Sequence, residues 1–418
     1  MSEGNNSTMR VLMPTWEYPP HVVGGLGKHV IDLAPALVSQ GIELHILTPQ
    51  LRDAPSYELT PQGIHVHRIA PPLVADNSMV TLVMQANLAM EQAALGLWQR
   101  FGGFDLIHAH DWLDATVGIA LKHVWQRPLI ATIHATERGR NQGFLTHNGY
   151  SERIDSLEWR LTYEAWRVIC CSQFMGTQIH ESFQTPRDKL DIIPNGIYTQ
   201  PSPFANEEER VAFRRRFVSD DQPLVYYVGR LVYEKGLQVL LDAWPTVLQV
   251  MPQARLLIAG TGGYQASLRQ QAYELGIAEQ VVFAGFISDD ERDKLYRVAD
   301  VAVFPSLYEP FGIVALEAMA ASCPVVVSNT GGLAEVVMPH ETGLVVQQND
   351  ADSLAWGVLH TLQHPDWSRA RAENALLAVR DNFNWHTIAQ ATVDVYKKTY
   401  AAWLESDWGK GRLVGRMV

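Results

Sequence analysis

Cysteine is scarce in this chain: three in 418 residues, with Cys170 and Cys171 adjacent and Cys323 far from both. That supply builds no disulfide framework and offers no metal-ligand spacing, so a reducing, cytoplasmic location is expected. Long apolar runs are also missing. No stretch approaches the roughly 18 consecutive apolar residues of a membrane span, and residues 1–9 have the polarity of a disordered leader rather than a signal peptide. Basic residues are outnumbered, 33 against 45 acidic ones, for a net charge of -12. Such a balance argues against a broad nucleic-acid surface, while a local basic patch leaves peripheral membrane contact open. The glycines never take the Gly-x-Gly-x-x-Gly spacing of a dinucleotide-binding turn. Short-period repeats and low-complexity segments are absent too.

What is present is apolar material for large cores, 47% of the chain, enough for two or three domains. Residues 10–14 read as a first strand. A loop through Trp16, Val22, Gly24, Gly25 and Gly27 follows, then a helix over 28–40 ended by Gly41, and a strand over 43–48. Gly24 and Gly25 either make a plain tight turn or let a phosphate or sugar approach backbone N–H groups at a helix head. Strands over 104–108, 128–133 and 168–171 alternate with helical segments, the pattern of a parallel α/β sheet. His108, His110 and Asp111 close the first of these. Strand alternation turns neighbouring side chains to opposite faces, so this trio is not read as a metal site, and no metal is expected. His134 ends the second strand, at the edge where open α/β sheets bind ligands, with Glu137 and Arg140 just beyond.

A second α/β series begins near residue 224, with strands over 254–259, 281–284, 301–304 and 324–327. Gly229, Arg230 and Lys235 lie between its first strand and the next helix, where two cations oppose the helix dipole and an anion would relieve the conflict. The alternative is a pair of solvated cations with Glu234 as partner. After the fourth strand, a helix expected to start at Pro310 carries Glu309 at its head and Glu317 inside an apolar interior. Glu317 needs hydrogen-bond donors there, either a ligand's or those of a structural Arg or Lys. Thr330-Gly331-Gly332-Leu333 adds a glycine turn. Helices over 352–405, broken near Pro365 and Asn382, carry Trp356, Trp385 and Trp403 as packing residues, and Asp350 reads as a helix cap.

Taken together, Gly24-Gly25, His134, Gly229-Arg230, Lys235 and the Glu309/Glu317 pair resemble the retaining glycosyltransferases of family 4, over nearly the whole chain. The resemblance implies a GT-B fold: two Rossmann-like parallel α/β domains facing across a cleft, with a C-terminal helix crossing back to the first. It implies an acceptor-side domain over 10–200 joined by 385–418, and a nucleotide-sugar domain over 201–384. By the same resemblance, Arg230 and Lys235 hold the donor diphosphate, Gly24 and Gly25 approach it, and Glu309 and Glu317 serve the sugar and the ribose. Gly229, Phe311, Gly312, Ile313 and Val314 complete the donor set. His134 lies by the transferred sugar, and Trp16, Asp111, Glu137 and Arg140 are acceptor candidates. His108-Ala109-His110-Asp111-Trp112 and Thr330–Leu333 are similar to the glycogen and starch synthase branch. Two departures from that branch are Val22, where those enzymes carry lysine, and Phe311, where bacterial glycogen synthases carry cysteine. The expected partners are a nucleoside-diphosphate sugar and a hydroxyl acceptor, with no cofactor. Transfer of a hexose, glucose first, to a hydroxyl acceptor is the leading expectation, with an α-glucan as one acceptor and the two departures counting against glucan specificity. A mannosyl- or galactosyltransferase, a non-catalytic sugar-nucleotide binder and an NAD-dependent oxidoreductase are the alternatives.

Overall fold

Short runs of Val, Ile and Leu, each closed by a glycine-bearing or polar loop, form two parallel sheets. The computed structural model describes residues 8–71, 78–146 and 149–410; the expected leader lies almost wholly outside them. The first elements are β1 (Arg10–Pro14), α1 (Gly25–Ser39), β2 (Glu43–Pro49), β3 (Tyr57–Leu59), β4 (His65–Ile69), α2 (Met79–Phe101) and β5 (Leu106–His110). Next come α3 (Ala115–Trp125), β6 (Leu129–Ile133), α4 (Glu137–Arg140), α5 (Tyr150–Glu164), β7 (Arg167–Cys170), α6 (Gln173–Phe183) and β8 (Leu190–Ile192). The second series is α7 (Glu207–Arg214), β9 (Leu224–Val228), α8 (Leu237–Val250), β10 (Arg255–Ala259), α9 (Gln265–Glu274), β11 (Val281–Gly285) and α10 (Asp289–Val298). It continues through β12 (Val301–Phe304), α11 (Ile313–Ala320), β13 (Val325–Ser328), α12 (Leu333–Val336), β14 (Leu344–Val346), α13 (Ala351–Gln363) and α14 (Pro365–Asn382). It is followed by α15 (Trp385–Glu405).

The chain divides into two compact units, one from Met1–Gly196 with Trp385–Val418, the other Ile197–Asn384. In the first, the sheet order is β3-β4-β2-β1-β5-β6-β7-β8, parallel except for β3. Its central strands are buried on both faces, as helices on both sides require. Within it α15 packs along α1: Trp385, Ile388, Ala389, Val393 and Tyr396 join Val30, Leu33 and Leu37 in one apolar cluster. The second unit has the order β11-β10-β9-β12-β13-β14, and its core gathers Leu240, Trp244, Ile258, Val303 and Val326. In both sheets the strand order reverses beside the first strand, at β1/β5 and at β9/β12. Such a reversal at the carboxyl edge is where open α/β sheets bind ligands.

Several elements differ from the sequence expectation for local reasons. The helix expected from Pro310 begins at Ile313, because Gly312 turns the backbone at φ 104° and Gly332 N–H ties the Glu309 carbonyl at 2.9 Å. The strand expected over 104–108 lies at Leu106–His110, since α2 ends in left-handed Gly102 and Gly103. β3, β4, β8 and β14 were not anticipated; three of them have only three residues, and β4 reads His-Val-His-Arg-Ile. Trp385 and Trp403 are buried as expected of packing residues, but Trp356 is 48% exposed. Asp350 caps α13 by accepting from Ser353 N–H at 2.9 Å. Among the described residues no helix is long and apolar enough to cross a membrane.

Candidate active site

In the second unit, the loops after β9 and β12 are sewn together by main-chain bonds, with Leu307 N–H donating to the Glu234 carbonyl at 2.8 Å. Their closeness depends on Gly236, which sits at φ 70° before α8; a Cβ there would lie 1.9 Å from the Pro305 carbonyl oxygen. This brings Lys235 Nζ to 2.7 Å from Glu309 Oε2, with the two side chains 18% and 10% exposed. Ser306 Oγ stands 3.4 Å from the same oxygen. Arg230 is half-exposed and reaches Glu234 at 3.4 Å. Each expected phosphate-binding cation therefore has a carboxylate partner in this structure, which a dianionic ligand would share or displace. Gly312 and Ile313 form the head of α11, with Val314 one residue further along. Phe311 is buried, its ring 6.2 Å from that of Phe383. Glu317 has Arg292 at 3.4 Å and the Tyr296 hydroxyl at 3.4 Å, so a structural arginine does face it.

In the first unit, the loop after β1 is organised by a residue that sequence reading passed over. The Glu17 carboxylate accepts from Val23 N–H at 2.8 Å and Gly24 N–H at 3.0 Å, and a Cβ at Gly27 would come within 2.6 Å of it. Gly24 precedes α1 and Gly25 opens it. Trp16 was expected to touch an acceptor. It is instead 3% exposed and packs with Val80, Val83, Trp112 and Ile154, its N–H held by Asp114 at 3.0 Å.

Asp111 does not point outward either. It is buried at φ 55° and accepts from His134 N–H at 2.7 Å, so it fixes the turn after β6. Burial pushes its carboxyl up to about 6, against the pull of Arg140 and of the loop N–H groups. Glu137 opens α4, its side chain accepting from Ser151 at 2.8 Å and Asn141 at 2.9 Å, with Arg140 at 3.8 Å. Beneath it, fully buried Glu158 accepts the Glu137 N–H through both oxygens, at 2.9 and 3.0 Å. Burial drives the Glu158 carboxyl up to about 8.

The histidines form a cluster. His108 and His110 lie two residues apart and share a face, with ring centroids 4.4 Å apart, contrary to the expectation that the strand would separate them. His108 is structural, held between the Tyr396 hydroxyl and Thr132 at 2.7 Å each. His110 Nδ1 meets His134 Nε2 at 3.1 Å, and His29 from α1 lies 4.7 Å from the His134 ring while its Nδ1 donates to Asn195 Oδ1 at 2.6 Å. Burial lowers His29 and His134 to about 3, so both rings are neutral at pH 7. Nε2 of His29 and of His110 is buried without a hydrogen-bond partner. One donor atom from each of His29, His110 and His134 falls within 4.8 Å of the others, a set that could accept a hydroxyl network or hold a cation. His29 gave no signal in the sequence beyond its place on a helix after a glycine turn.

Residues 23–201 match the family model described as Glycosyltransferase Family 4, and residues 209–377 the model described as Glycosyl transferases group 1. An uncharacterised glycosyltransferase of Methanocaldococcus jannaschii is 40% identical over 395 residues, covering 93% of this chain and 98% of that protein. The glycogen synthase of Mycobacterium tuberculosis is 37% identical over 400 residues, 93% of this chain and 94% of its own. Among solved structures, sucrose-phosphate synthase from Thermosynechococcus elongatus aligns with TM-score 0.81 and 26% identity, over 94% of this chain and 100% of that one. Two parallel α/β units with these loops at their carboxyl edges define a glycosyltransferase of the GT-B fold. The chain belongs to glycosyltransferase family 4, in the branch that holds the glycogen synthases, which displaces the oxidoreductase alternative.

Proposed function

We propose that this glycosyltransferase moves a hexose, glucose in the first instance, from a nucleoside-diphosphate sugar to a hydroxyl acceptor, with retention of anomeric configuration. The observation that carries the reading is the Lys235–Glu309 pair. An ammonium and a carboxylate, both largely enclosed, meet at 2.7 Å on the loops after β9 and β12. A diphosphate received there meets the remaining N–H donors of Lys235, the Arg230 guanidinium and the head of α11. When the bond from the anomeric carbon to the phosphate oxygen breaks, negative charge grows on the departing diphosphate. Donors aimed at that charge bind the transition state more strongly than the ground state.

Glu309 orients hydroxyls of the transferred sugar. Glu317 serves the ribose, with Arg292 and the Tyr296 hydroxyl beside it at 3.4 Å each. The neutral His134 ring hydrogen-bonds the same sugar, while Glu137 and Arg140 serve the acceptor. Front-face attack suits a set of carboxylates that are all engaged elsewhere: Glu309 with Lys235, Asp111 with the His134 N–H, Glu137 with Ser151 and Asn141.

The relative named glycogen synthase supports glucose and an α-glucan acceptor. A small-molecule acceptor is the second reading. Val22, the position at which the resemblance to the glucan-building branch leads to an expected lysine, is 43% exposed, and a Corynebacterium efficiens relative, 30% identical over 412 residues, is named D-inositol 3-phosphate glycosyltransferase. Purified protein is to be screened with ADP-, UDP- and GDP-hexoses against glycogen, maltooligosaccharides and phosphorylated small acceptors. Glucosyl transfer from ADP- or UDP-glucose to glucan is expected. Absence of both product and nucleotide release with every donor refutes the reading and favours a non-catalytic sugar-nucleotide binder.

A further inference from the structure

The first unit carries a second group of histidines, at the opposite end of its sheet from His134. Glu43 and His45 open β2 and point to one face, being two residues apart; His65 and His67 do the same on β4. Parallel pairing sets His45 directly beside His65, and Arg10 of β1 beside Glu43. The three imidazoles consequently stack nearly parallel: His45 lies 4.3 Å from His65 and 5.3 Å from His67, at 3° and 7°. Phe101 of α2 covers this face edge-on, 4.4 Å from His45. One donor atom from each of Glu43, His45 and His65 lies within 4.8 Å of the other two.

We propose that Glu43, His45 and His65 form a binding site for a divalent transition-metal ion of the zinc class, remote from the sugar-transfer chemistry. A tetrahedral ion with ligands near 2.1 Å sets them about 3.4 Å apart. His45 Nε2 and Glu43 Oε1 already stand 3.2 Å apart. Each ligand is also oriented from behind in the way metal ligands usually are. His45 Nδ1 bonds His67 Nε2 at 3.1 Å, and His65 Nδ1 bonds the Tyr57 hydroxyl at 3.0 Å, which leaves Nε2 of each ring as its donor. Arg10 grips Glu43 along one guanidinium edge, Nε donating to Oε1 at 2.6 Å and Nη2 to Oε2 at 2.9 Å. His65 and Glu43 are partly exposed, which gives an entry path, while His45 is buried. Two imidazoles and a carboxylate with an open fourth position suit zinc or cobalt better than magnesium or calcium, which prefer oxygen ligands. An ion here would tie β2 to β4 at the outer part of the sheet, so its effect falls on stability rather than turnover.

The test uses the full chain, stripped with chelator and dialysed, then titrated with Zn2+ or Co2+. Expected results are visible absorption of tetrahedral intensity with Co2+ and a rise in melting temperature with Zn2+. His65→Ala and Glu43→Gln should each weaken binding about tenfold or more, whereas His134→Ala leaves this signal intact. His65→Gln serves if the alanine variant folds poorly. Binding that is absent, that survives both His65 variants, or that disappears with His134→Ala overturns the proposal; the last result would assign the ion to the His29/His110/His134 group.

Discussion

Lys235→Ala separates the two roles that the Lys235–Glu309 contact could play. The substitution removes an ammonium 2.7 Å from Glu309 Oε2 and leaves that carboxylate 10% exposed without its cation. Breaking a fully buried pair from one side costs about 3–5 kcal/mol; the residual exposure of both groups brings the expected loss to roughly 2 kcal/mol. The catalytic loss is distinct. Removing one donor from a developing oxyanion costs about 2–4 kcal/mol, or roughly 30- to 1000-fold in kcat/KM. Adding Glu309→Gln removes the stranded charge, so the double variant should regain most of the lost stability while its turnover stays low. Nucleotide release and chemical denaturation, measured on wild type, both single variants and the double, complete the cycle. Two results would refute the reasoning: a folded Lys235→Ala enzyme within about threefold of wild-type turnover, or a double variant in which turnover returns along with stability.

Other expectations follow from the same geometry. Glu158 is held protonated, its carboxyl raised from 4.5 to about 8. The folded state therefore binds more protons than the unfolded one between those values, and the group's contribution to stability is full below pH 4.5 and lost as pH rises through about 8. Glu158→Gln should flatten that part of the pH–stability curve; an unchanged difference between variant and wild type from pH 5 to 8 contradicts it. His29 and His134 act with the opposite sign. Their lowered values, about 3, mean stability is full above pH 6.5 and lost as pH falls towards 3, so acid denaturation should move to lower pH in His29→Gln. Gly236→Ala places a Cβ 1.9 Å from the Pro305 carbonyl at φ 70°. It should cost more than the ~1–2 kcal/mol of a left-handed residue alone and be visible as a lower melting temperature. His134→Ala should lower turnover by about 1–3 kcal/mol, the cost of a lost sugar hydrogen bond, measured as nucleotide release at saturating donor.

The β/α alternation was legible because strands such as Val301–Phe304 are buried on both faces and read as unbroken apolar runs. β4 escaped notice for the converse reason: its histidines sit in a side-chain stack and against Phe101, a setting that periodicity does not encode. Arg230, Lys235 and Glu309 drew notice because charges at strand ends and helix heads have few structural uses, and the structure brings Lys235 and Glu309 into contact. Glu17, Glu158 and His29 were missed, since each works through backbone N–H groups or rings brought close only by the fold. Asp111 and Trp16, expected to face an acceptor, are both buried, Asp111 against the His134 N–H and Trp16 against Val80 and Trp112. A sequence shows that a polar group follows a strand; whether it faces a ligand or props the loop beneath it is decided by φ and by neighbours on other strands.

The measurement that bears most directly on the central claim is proton NMR of the first product formed from an α-linked nucleoside-diphosphate glucose and a maltooligosaccharide, with nucleotide release followed in the same tube. The account predicts an α-glycosidic anomeric signal growing in step with free nucleoside diphosphate, and loss of both signals together in Lys235→Ala. A β-linked product, or transfer that continues unchanged in that variant, would contradict it.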